Sequence, residues 1–438
     1  MNMKDSLKKL FDEKLVTPDE AVQCIRSGQT VYIGTCTSTC YELARALGRR
    51  SDELENITIG CSNLFKPLDI MTDPDRFRII SYFMGPTERQ AQKAGSLDYT
   101  SIHLSLVDIF CRETCPPDVA FLEVSLPDED GNMSFGATGV ALNKFIQEQA
   151  KTVILQINKY APYVYGEDNL INIRDCDMAV RFDEEIAEVP NMEPTPEVKA
   201  ISEYVIDQIP DGACVQLGIG GIGNAVGFGL RNRNDLGIHT ELMTDSLAFL
   251  MKNGNVTNKG KRVLPGKSVA AFTLGEKALY EFVDHNKDMY YMPFTIANDP
   301  RIIARNDRAV SVNSAICIDL MGQVAADNIA GRQFSGTGGQ LDFVRGAQMS
   351  RGGKSFIAAT SENISKHTGK VSSRIVASLP TGAAVTTPRS DVQYVVTEYG
   401  CVNLKPLTIK ERAHALISIA HPDCRDELTE AARAAGLY

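Results

Sequence analysis

The feature that most constrains the fold is a strand–helix–strand pattern that occurs twice along the 438 residues of the chain. In the first copy, the apolar run 31–33 is followed by a helical segment over 42–50 and a second apolar run, 57–59. The strand, helix and strand segments of the second copy are 214–217, 224–231 and 238–240. Gly34 and Gly218 end the first strand of each copy. Such units build parallel sheets covered by helices, so the sequence predicts an α/β fold of two related α/β domains with mostly parallel sheets; a chance match of two common units is the alternative.

An acidic stretch with three prolines, 184–199, separates the two copies. This composition is typical of a partly extended linker between domains. The chain length also fits two domains of about 200 residues each. We therefore predict an N-terminal domain over 1–190 and a C-terminal domain over 195–438, with the functional site in the cleft between them.

Composition excludes several classes of protein. A formal net charge of −10 opposes binding to nucleic acid or to an anionic membrane surface. The first 14 residues are rich in charge, and no run of about 18 apolar residues is present, so we expect a cytoplasmic protein. The 11 cysteines are scattered and odd in number, which favours reduced thiols and no metal site.

A glycine-rich turn follows the first strand of the second copy. It has the spacing G-x-G-x-x-G and consists of Gly218, Ile219, Gly220, Gly221, Ile222 and Gly223. With Glu241 after the next strand, the pattern matches the dinucleotide fingerprint, so an NAD-dependent oxidoreductase is one interpretation. Common to every interpretation is that such a turn lets a ligand approach backbone N–H groups at a helix N-terminus, where negative charge is stabilised.

A second glycine-rich segment, 336–343, lies in the same half and lacks the Gly-Lys-Ser/Thr ending of a P-loop. The turn from Gly218 to Ile222, the stretch 239–245 around Glu241, the run 333–347, which contains the second glycine-rich segment, and the Val-Val-Thr-Glu-Tyr-Gly segment 395–400 together resemble the acetyl-CoA hydrolase/transferase family. The resemblance covers essentially the whole chain and is strongest to the butyryl-CoA:acetate and 4-hydroxybutyrate CoA-transferases of that family. Four ordered motifs are much more specific than a single glycine turn.

The resemblance implies a CoA-transferase (NagB/RpiA-like) fold and an acyl-CoA:carboxylate CoA-transferase that works by a ping-pong mechanism. Glu241 matches the family's nucleophile, which forms a mixed anhydride and then a glutamyl-CoA thioester. Coenzyme A is then a substrate and covalent intermediate, with no permanently bound cofactor. The implied partners are acyl-CoA and short-chain carboxylic acids, together with further copies of the chain in a homodimer or higher homo-oligomer.

The resemblance also implies that the N-terminal domain supplies the acyl pocket side and that the C-terminal domain carries the nucleophile and the CoA-binding loops, and it assigns residues to the site. Asn313 is the second catalytic candidate, since its amide could orient Glu241; a turn-capping role is the alternative. The candidate CoA-binding residues are Gly218, Ile219, Gly220, Gly221, Ile222, Gly338, Gly339 and Lys354. Backbone N–H groups of the glycine segments would stabilise oxyanions. Lys354, Arg345 and the basic cluster 259–262 could meet CoA phosphates, although each also fits a solvated surface charge.

Several alternatives stay open. An acyl-CoA hydrolase would use the same Glu241 but let water take the intermediate, and a CoA-binding protein without activity would show no exchange at all. The Thr-Cys-Thr-Ser-Thr-Cys segment 35–40 departs from the Glu-Pro-containing segment of relatives, which leaves the acid specificity open. The segment 398–400 fits a structural turn as well as a catalytic role. His103 and His239 are expected to be core or strand-end histidines rather than catalysts.

Overall fold

The computed structural model describes residues 3–364 and 371–437. The chain forms two compact units, of which the first combines Met1–Val189 with Val269–Ile296 and the second combines Pro190–Ser268 with Ala297–Tyr438. The predicted C-terminal domain over 195–438 therefore needs a correction. Val269–Ile296 belongs to the first unit because its backbone is hydrogen-bonded there: Tyr291 N–H donates to Tyr165 O at 2.9 Å and Phe294 N–H donates to Ala141 O at 3.0 Å.

The part of the chain before residue 190 alternates strands and helices. Its strands are β1 (Thr30–Thr35), β2 (Ile57–Ser62), β3 (Phe77–Ser81), β4 (Leu97–Tyr99), β5 (Val119–Val124), β6 (Asn132–Ser134), β7 (Thr152–Ile157), β8 (Leu170–Asn172) and β9 (Met178–Arg181). Its helices are α1 (Asp5–Lys14), α2 (Pro18–Ala21), α3 (Tyr41–Gly48), α4 (Pro86–Ala94), α5 (Val107–Ile109), α6 (Gly136–Gly139) and α7 (Asn143–Gln149).

The main sheet of the first unit has the order β4-β3-β2-β1-β5-β7-β9, and all its strand pairs are parallel. A parallel sheet is covered on both faces, so its strands read as continuous apolar runs. β5, for example, is buried at every position. Val31 and Ile33 of β1 pack with Leu43 and Leu47 of α3 in the core of this unit.

The rest of the chain continues in the same alternation. Its strands are β10 (Cys214–Leu217), β11 (Gly237–Ile238), β12 (Leu242–Met243), β13 (Ser268–Ala270), β14 (Phe272–Thr273), β15 (Met289–Tyr291), β16 (Ala309–Ser314), β17 (Cys317–Asp319), β18 (Val324–Ala325), β19 (Asn328–Ile329), β20 (Arg332–Gln333), β21 (Lys354–Ala358), β22 (Glu362–Ile364), β23 (Val371–Ser373), β24 (Ile375–Val376), β25 (Tyr394–Thr397) and β26 (Gly400–Asn403). Its helices are α8 (Pro196–Asp207), α9 (Gly221–Gly229), α10 (Asp245–Lys252), α11 (Lys277–Val283), α12 (Phe294–Ala297), α13 (Pro300–Ile303), α14 (Gln340–Met349), α15 (Ile409–Ser418) and α16 (Arg425–Ala434).

The main sheet of the second unit has the order β11-β10-β16-β21-β25-β26. Its strand pairs are parallel except for β25 and β26, which are antiparallel. The order β11-β10-β16-β21-β25 repeats the order β2-β1-β5-β7-β9 of the first unit. The predicted α/β fold of two related halves with mostly parallel sheets is confirmed.

Local sequence signals fix where the helices of the second unit begin. Thr195 accepts a hydrogen bond from Val198 N–H, and Pro196 occupies the first position of α8, so the helix begins at the end of the proline-rich segment. Thr244 caps α10 in the same way by accepting from Leu247 N–H. The extended segment that contains Glu241 therefore ends at Thr244, three residues after Glu241, where α10 begins. Within the described residues, no helix is both long enough and apolar enough to cross a lipid bilayer.

Candidate active site

Glu241 lies between β11 and β12, and its carboxylate is held by two donors of the second unit. Asn298 Nδ2 donates to Glu241 Oε2 at 2.6 Å. The backbone N–H of Gly339 donates to the same carboxylate. Since Gly339 is the residue before α14, the carboxylate lies at the N-terminus of a ten-residue helix. Such a position stabilises negative charge.

The surroundings of Glu241 change its acidity. Burial raises the pKa of Glu241 to about 7, the hydrogen bond from Asn298 lowers it, the charge of Asp342 raises it, and the Gly339 N–H lowers it. Burial outweighs the two donors because a carboxylate loses more hydration than they restore. At neutral pH the group therefore exchanges readily between a protonated form and a poorly solvated anion. A poorly solvated anion is a better nucleophile than a carboxylate in bulk water.

Gly339 is a glycine for a steric reason. A Cβ at this position would lie 1.9 Å from Glu241 Oε2 and 2.2 Å from Asn298 Nδ2. No side chain fits in that space, so the carboxylate and the amide approach the backbone directly. The preceding Gly338 has φ +61°, a conformation that L-residues with side chains rarely adopt. The two glycines thus let the chain turn and expose N–H groups next to Glu241.

Asn298 is the residue of the candidate site that the sequence did not predict. Its side chain is fully buried, and its partner Glu241 lies 57 positions earlier in the chain. Among the described residues, Asn298 Oδ1 is a buried acceptor without a hydrogen-bond partner. Buried polar atoms are normally paired, and exceptions concentrate at functional sites. The available sequence signal was the following Asp299-Pro300 pair, which caps and begins α13 and so marks a helix start beside Asn298.

Asn313 was expected to orient Glu241, and the structure gives it a different partner. Its Nδ2 donates to Gln216 Oε1 at 3.3 Å, and Gln216 Nε2 donates to Asn313 Oδ1 at 3.5 Å. This reciprocal amide pair joins the ends of β16 and β10, which are neighbours in the sheet. Asn298, and not Asn313, is hydrogen-bonded to Glu241, so the expected role of Asn313 is corrected. It lies beside the Gly218 turn, where it supports the end of β10.

The Gly218 turn follows β10 at the carboxyl end of the sheet. Gly218 N–H is bound to Val312 O at 2.8 Å, whereas Ile219, Gly220 and Gly221 are exposed and Ile222 is partly buried. A Cβ at Gly223 would lie 2.0 Å from Gly218 O, so this glycine is required for the turn to close on itself. The exposed residues lead directly into α9. Their arrangement is suited to binding an anion or an oxyanion through backbone N–H groups.

Lys354 does not join these glycine segments. It is the first residue of β21, in register with Val310 of β16, whereas the turn follows the other end of β10. Val310 is itself in register with Val215, three residues before Gly218, which corresponds to about 10 Å along the strands. Lys354 Nζ donates to the backbone O of Gln208 at 2.9 Å and to its Oε1 at 3.2 Å. The structure therefore does not support the expectation that Lys354 binds CoA beside the two loops.

The other candidate cations have protein partners as well. Arg345 pairs with Asp391 at 3.2 Å, and Arg262 pairs with Asp307 at 2.9 Å. Lys261, expected to be part of a solvated or phosphate-binding cluster, is buried instead. Its Nζ donates to Ile238 O and to Lys267 O, both at 2.6 Å, and burial lowers its pKa to about 8. Lys261 thus braces the strand that leads to Glu241.

Glu398 has a structural partner in the second unit. Its carboxylate accepts hydrogen bonds from Ser361 N–H at 2.8 Å and from Ser361 Oγ–H at 2.6 Å. These contacts fit the interpretation in which the Glu-Tyr-Gly segment fixes a turn.

Segment 35–40 of the first unit is buried throughout. Its hydroxyl groups are paired within that unit, as in the 2.6 Å hydrogen bond between Thr37 Oγ1 and Thr138 Oγ1. Ser38 Oγ donates to Thr35 O at 2.8 Å. Hydroxyl groups therefore occupy the segment in which the sequence departs from the expected Glu-Pro pattern.

Two family models match the chain. The acetyl-CoA hydrolase/transferase N-terminal domain matches residues 1–191, and the acetyl-CoA hydrolase/transferase C-terminal domain matches residues 275–432. The first match ends within the proline-rich linker.

Curated proteins are similar over the full length. The chain is 38% identical to the butyryl-CoA:acetate CoA-transferase of Anaerostipes caccae, with 99% of each chain covered. It is 39% identical to the 4-hydroxybutyrate coenzyme A transferase of Clostridium kluyveri, over 96% of this chain and 97% of that protein. The expected resemblance to these two kinds of CoA-transferase, an enzyme class, is confirmed.

Solved structures agree with this similarity. RipA from Yersinia pestis superimposes with a TM-score of 0.93 at 36% identity, over 99% of this chain and 100% of the RipA chain. The dinucleotide interpretation of the Gly218 turn requires Glu241 to face a ribose, but its carboxylate is engaged by Asn298 and Gly339. From its domains, its relatives and its fold, the chain belongs to the acetyl-CoA hydrolase/transferase family.

Proposed function

We propose that this protein transfers coenzyme A between short-chain carboxylic acids and that Glu241 is the nucleophile. One observation carries the proposal: a partly buried carboxylate, with its pKa raised to about 7, is clamped between the Asn298 amide and the Gly339 N–H. An ordinary surface carboxylate is solvated by water, and a carboxylate with a purely structural role in the interior is paired with a cation. Glu241 is instead oriented and partly dehydrated, as a carboxylate nucleophile must be.

In the proposed reaction, a Glu241 oxygen attacks the thioester carbonyl of an acyl-CoA. A C–O bond forms, the C–S bond breaks, and a mixed anhydride and the CoA thiolate result. The thiolate then attacks the glutamyl carbonyl and displaces the acyl group as a free carboxylate, leaving a glutamyl-CoA thioester. A second carboxylate reverses both steps and leaves as the new acyl-CoA, so no net proton or electron is required.

Each tetrahedral intermediate carries an oxyanion that needs donors. We assign the N–H groups of Gly338 and Gly339, at the start of α14, to the oxyanion formed on Glu241. The exposed N–H groups of the Gly218 turn, at the start of α9, are assigned to the oxyanion on the acyl carbon. Preorganised donors of this kind each contribute about 3 kcal/mol to transition-state stabilisation. Both groups of donors belong to the unit that carries Glu241.

The names of the relatives suggest substrates. Butyryl-CoA with acetate, and 4-hydroxybutyryl-CoA, are the first pairs to assay, because proteins with those names are similar over their full length. We further propose that the enzyme acts in the cytoplasm as a homodimer or larger homo-oligomer. Sizing by light scattering tests the second part directly.

Intact-mass spectrometry after incubation with butyryl-CoA tests the proposed nucleophile. We expect the wild-type protein to gain the mass of CoA less one water, and Glu241→Gln to gain nothing. Glu203→Gln, at an exposed position of α8, is the matched control and should behave as wild type. The rate of adduct formation should rise with pH through about 7, since only the anion of Glu241 attacks.

An adduct of unchanged yield in Glu241→Gln would rule out the proposed mechanism. Acetate separates transferase from hydrolase in the same experiment. A transferase consumes the adduct only when an acceptor acid is added, whereas a hydrolase releases CoA steadily in its absence.

A further inference from the structure

His239 lies two residues before Glu241 and is almost fully buried. Its ring nitrogen Nε2 is 2.9 Å from Ala297 O, and Nδ1 is 3.2 Å from Asn306 Nδ2. Ala297 is the residue immediately before Asn298, the amide that holds Glu241. The ring therefore connects the segment that carries the carboxylate with the segment that carries its donor.

The partners of His239 determine its protonation. The carbonyl of Ala297 only accepts, so Nε2 must carry the proton. Asn306 Oδ1 accepts from Arg262 N–H at 3.1 Å and from Val263 N–H at 3.0 Å, which orients the NH₂ group of Asn306 towards His239. Nδ1 is thus an acceptor, and the ring is the neutral Nε2–H tautomer. Burial and the nearby Lys261 cation lower the pKa of His239 to about 3, so the ring stays neutral at working pH.

The same ring also reaches the helix that supplies the second donor. His239 makes an edge-on contact with Phe343 of α14, with 6.4 Å between ring centroids. Phe343 N–H donates to Gly339 O at 3.0 Å, and Gly339 in turn donates to Glu241. The three segments around the carboxylate, at 241, 298 and 339, are therefore each connected to His239, either along the chain or through these contacts.

We infer that His239 is a positioning residue, whose neutral ring sets the distance and direction of the Asn298 and Gly339 donors to Glu241. This role rests on the proposed function of Glu241 and goes beyond it. The histidine does not touch substrate and exchanges no proton during turnover. It acts because its Nε2–H fixes the Ala297 carbonyl, and because a neutral ring accepts from Asn306 where an imidazolium could not.

Two substitutions at His239 separate positioning from packing. His239→Phe keeps the ring but removes both nitrogens, and we expect the rate of glutamyl-CoA formation to fall by about 10- to 100-fold. The pH midpoint of that rate should move upward, because a weakened Asn298 hydrogen bond no longer lowers the pKa of Glu241. His239→Gln keeps an N–H donor for Ala297 and should recover most of the rate and the wild-type midpoint. His414→Gln, at an exposed position of α15, is the control.

The outcomes distinguish this role from the proposed function. If the wild-type protein forms no adduct, the proposed function fails and the role of His239 fails with it. If the wild-type protein forms the adduct and His239→Phe matches it in rate and pH midpoint, only the role of His239 is overturned. The role of His239 is also overturned if the rate of adduct formation in His239→Phe falls only in proportion to the loss of folded protein while its pH midpoint is unchanged.

A measurement on the unmodified protein covers the case in which His239→Phe does not fold. Long-range ¹⁵N–¹H NMR of the histidine rings, assigned with His239→Gln, should show one buried ring in the Nε2–H form that does not titrate between about pH 5.5 and 8.5. An Nδ1–H tautomer, or a titration in that range, would overturn the inference.

Discussion

At Glu241, burial and hydrogen bonding act on one carboxylate in opposite directions. Burial raises its pKa to about 7, above the ordinary value of 4.5, although two donors lower it. The folded protein therefore holds this proton more tightly than the unfolded chain does. The contribution of the group to stability is fully present below pH 4.5 and is lost as the pH rises through about 7. At neutral pH the protein thus loses part of this stabilisation at the residue that we propose as the nucleophile.

Gly339→Ala tests whether the space beside this carboxylate matters. The new methyl group would overlap Glu241 Oε2 and Asn298 Nδ2, so both must move from their present positions. We expect adduct formation with butyryl-CoA to fall at least about 100-fold, since a misplacement of about 1 Å can have an effect of that size. The backbone of Gly339, with φ −98°, accepts alanine without strain, so folding should be retained.

Gly260→Ala is the matched control for this substitution. Its new methyl would come no closer than 3.7 Å to Gly212 O, at an exposed position. If Gly339→Ala kept wild-type rates, the close contact with Glu241 would have no part in the reaction.

The sequence allowed Glu241 to be predicted but not its partner. Glu241 is recognisable because it lies within a contiguous motif next to a strand. Asn298 belongs to no such motif, and only the folded backbone brings it to a carboxylate 57 positions away. The choice between Asn298 and Asn313 depends on side-chain directions at two different places, the connection between α12 and α13 and the end of β16. Spacing along the chain contains no information about those directions.

At the scale of strands and helices, the contacts that a residue can make depend on which end of a strand it occupies. Gly218 follows β10, and Asn313 lies near the end of β16, whereas Lys354 begins β21. In a parallel sheet, ligands bind at the carboxyl ends of the strands. Lys354 is therefore at the opposite end from the glycine turn, and its ammonium group is already bonded to Gln208.

Lys354→Met checks this placement. We expect the KM for acyl-CoA to change by less than about twofold, because removing a cation from the amino end of the sheet leaves no CoA phosphate unpaired. Lys410→Met, at an exposed position of α15, serves as the control for the loss of one positive charge. An increase in KM of tenfold or more in Lys354→Met, but not in Lys410→Met, would show that Lys354 does bind acyl-CoA.

The strands and helices themselves were largely predictable. The run 31–33 lies within β1, 57–59 within β2, and 214–217 is β10. Apolar runs and capping residues act over a few positions, so a sequence displays them directly. The buried state of Lys261 was not predictable in this way. In a sequence, a basic cluster is interpreted as solvated, because the carbonyl groups that accept hydrogen bonds from its lysine are known only from the structure.

At the scale of the whole molecule, the division into units does not follow the order of the chain. Val269–Ile296 lies in the second half of the sequence and packs in the first unit. Val189 N–H donates to Gly275 O at 3.0 Å, and His285 N–H donates to Tyr163 O at 2.8 Å. The proline-rich segment marked a linker, but nothing in the composition of 269–296 distinguishes it from its neighbours. Only its tertiary hydrogen bonds show where it belongs.

A fragment experiment tests this division. Residues 1–189 alone should be poorly folded, because the groups that pair with 269–296 are left exposed or unsatisfied. Residues 1–189 joined to 268–297 by a flexible glycine-serine linker should fold and unfold in one cooperative transition, measured by circular dichroism during urea denaturation. A linker of the same length joined to a scrambled 268–297 sequence is the control. Equal cooperativity in the three fragments would show that the segment is not an integral part of the first unit.

The path of the chain also determines when each unit can fold during synthesis. A ribosome that has finished residue 189 has made neither unit, since the first still lacks a segment that emerges about a hundred residues later. The stretch Pro190–Ser268, which contains the proposed nucleophile, cannot complete its own unit until the residues after Ile296 are also made. Domains usually fold one after another as they leave the exit tunnel. Here both units have to remain partly assembled at the same time, so nascent chains of this protein should depend on chaperone protection for longer than those of two domains arranged in tandem.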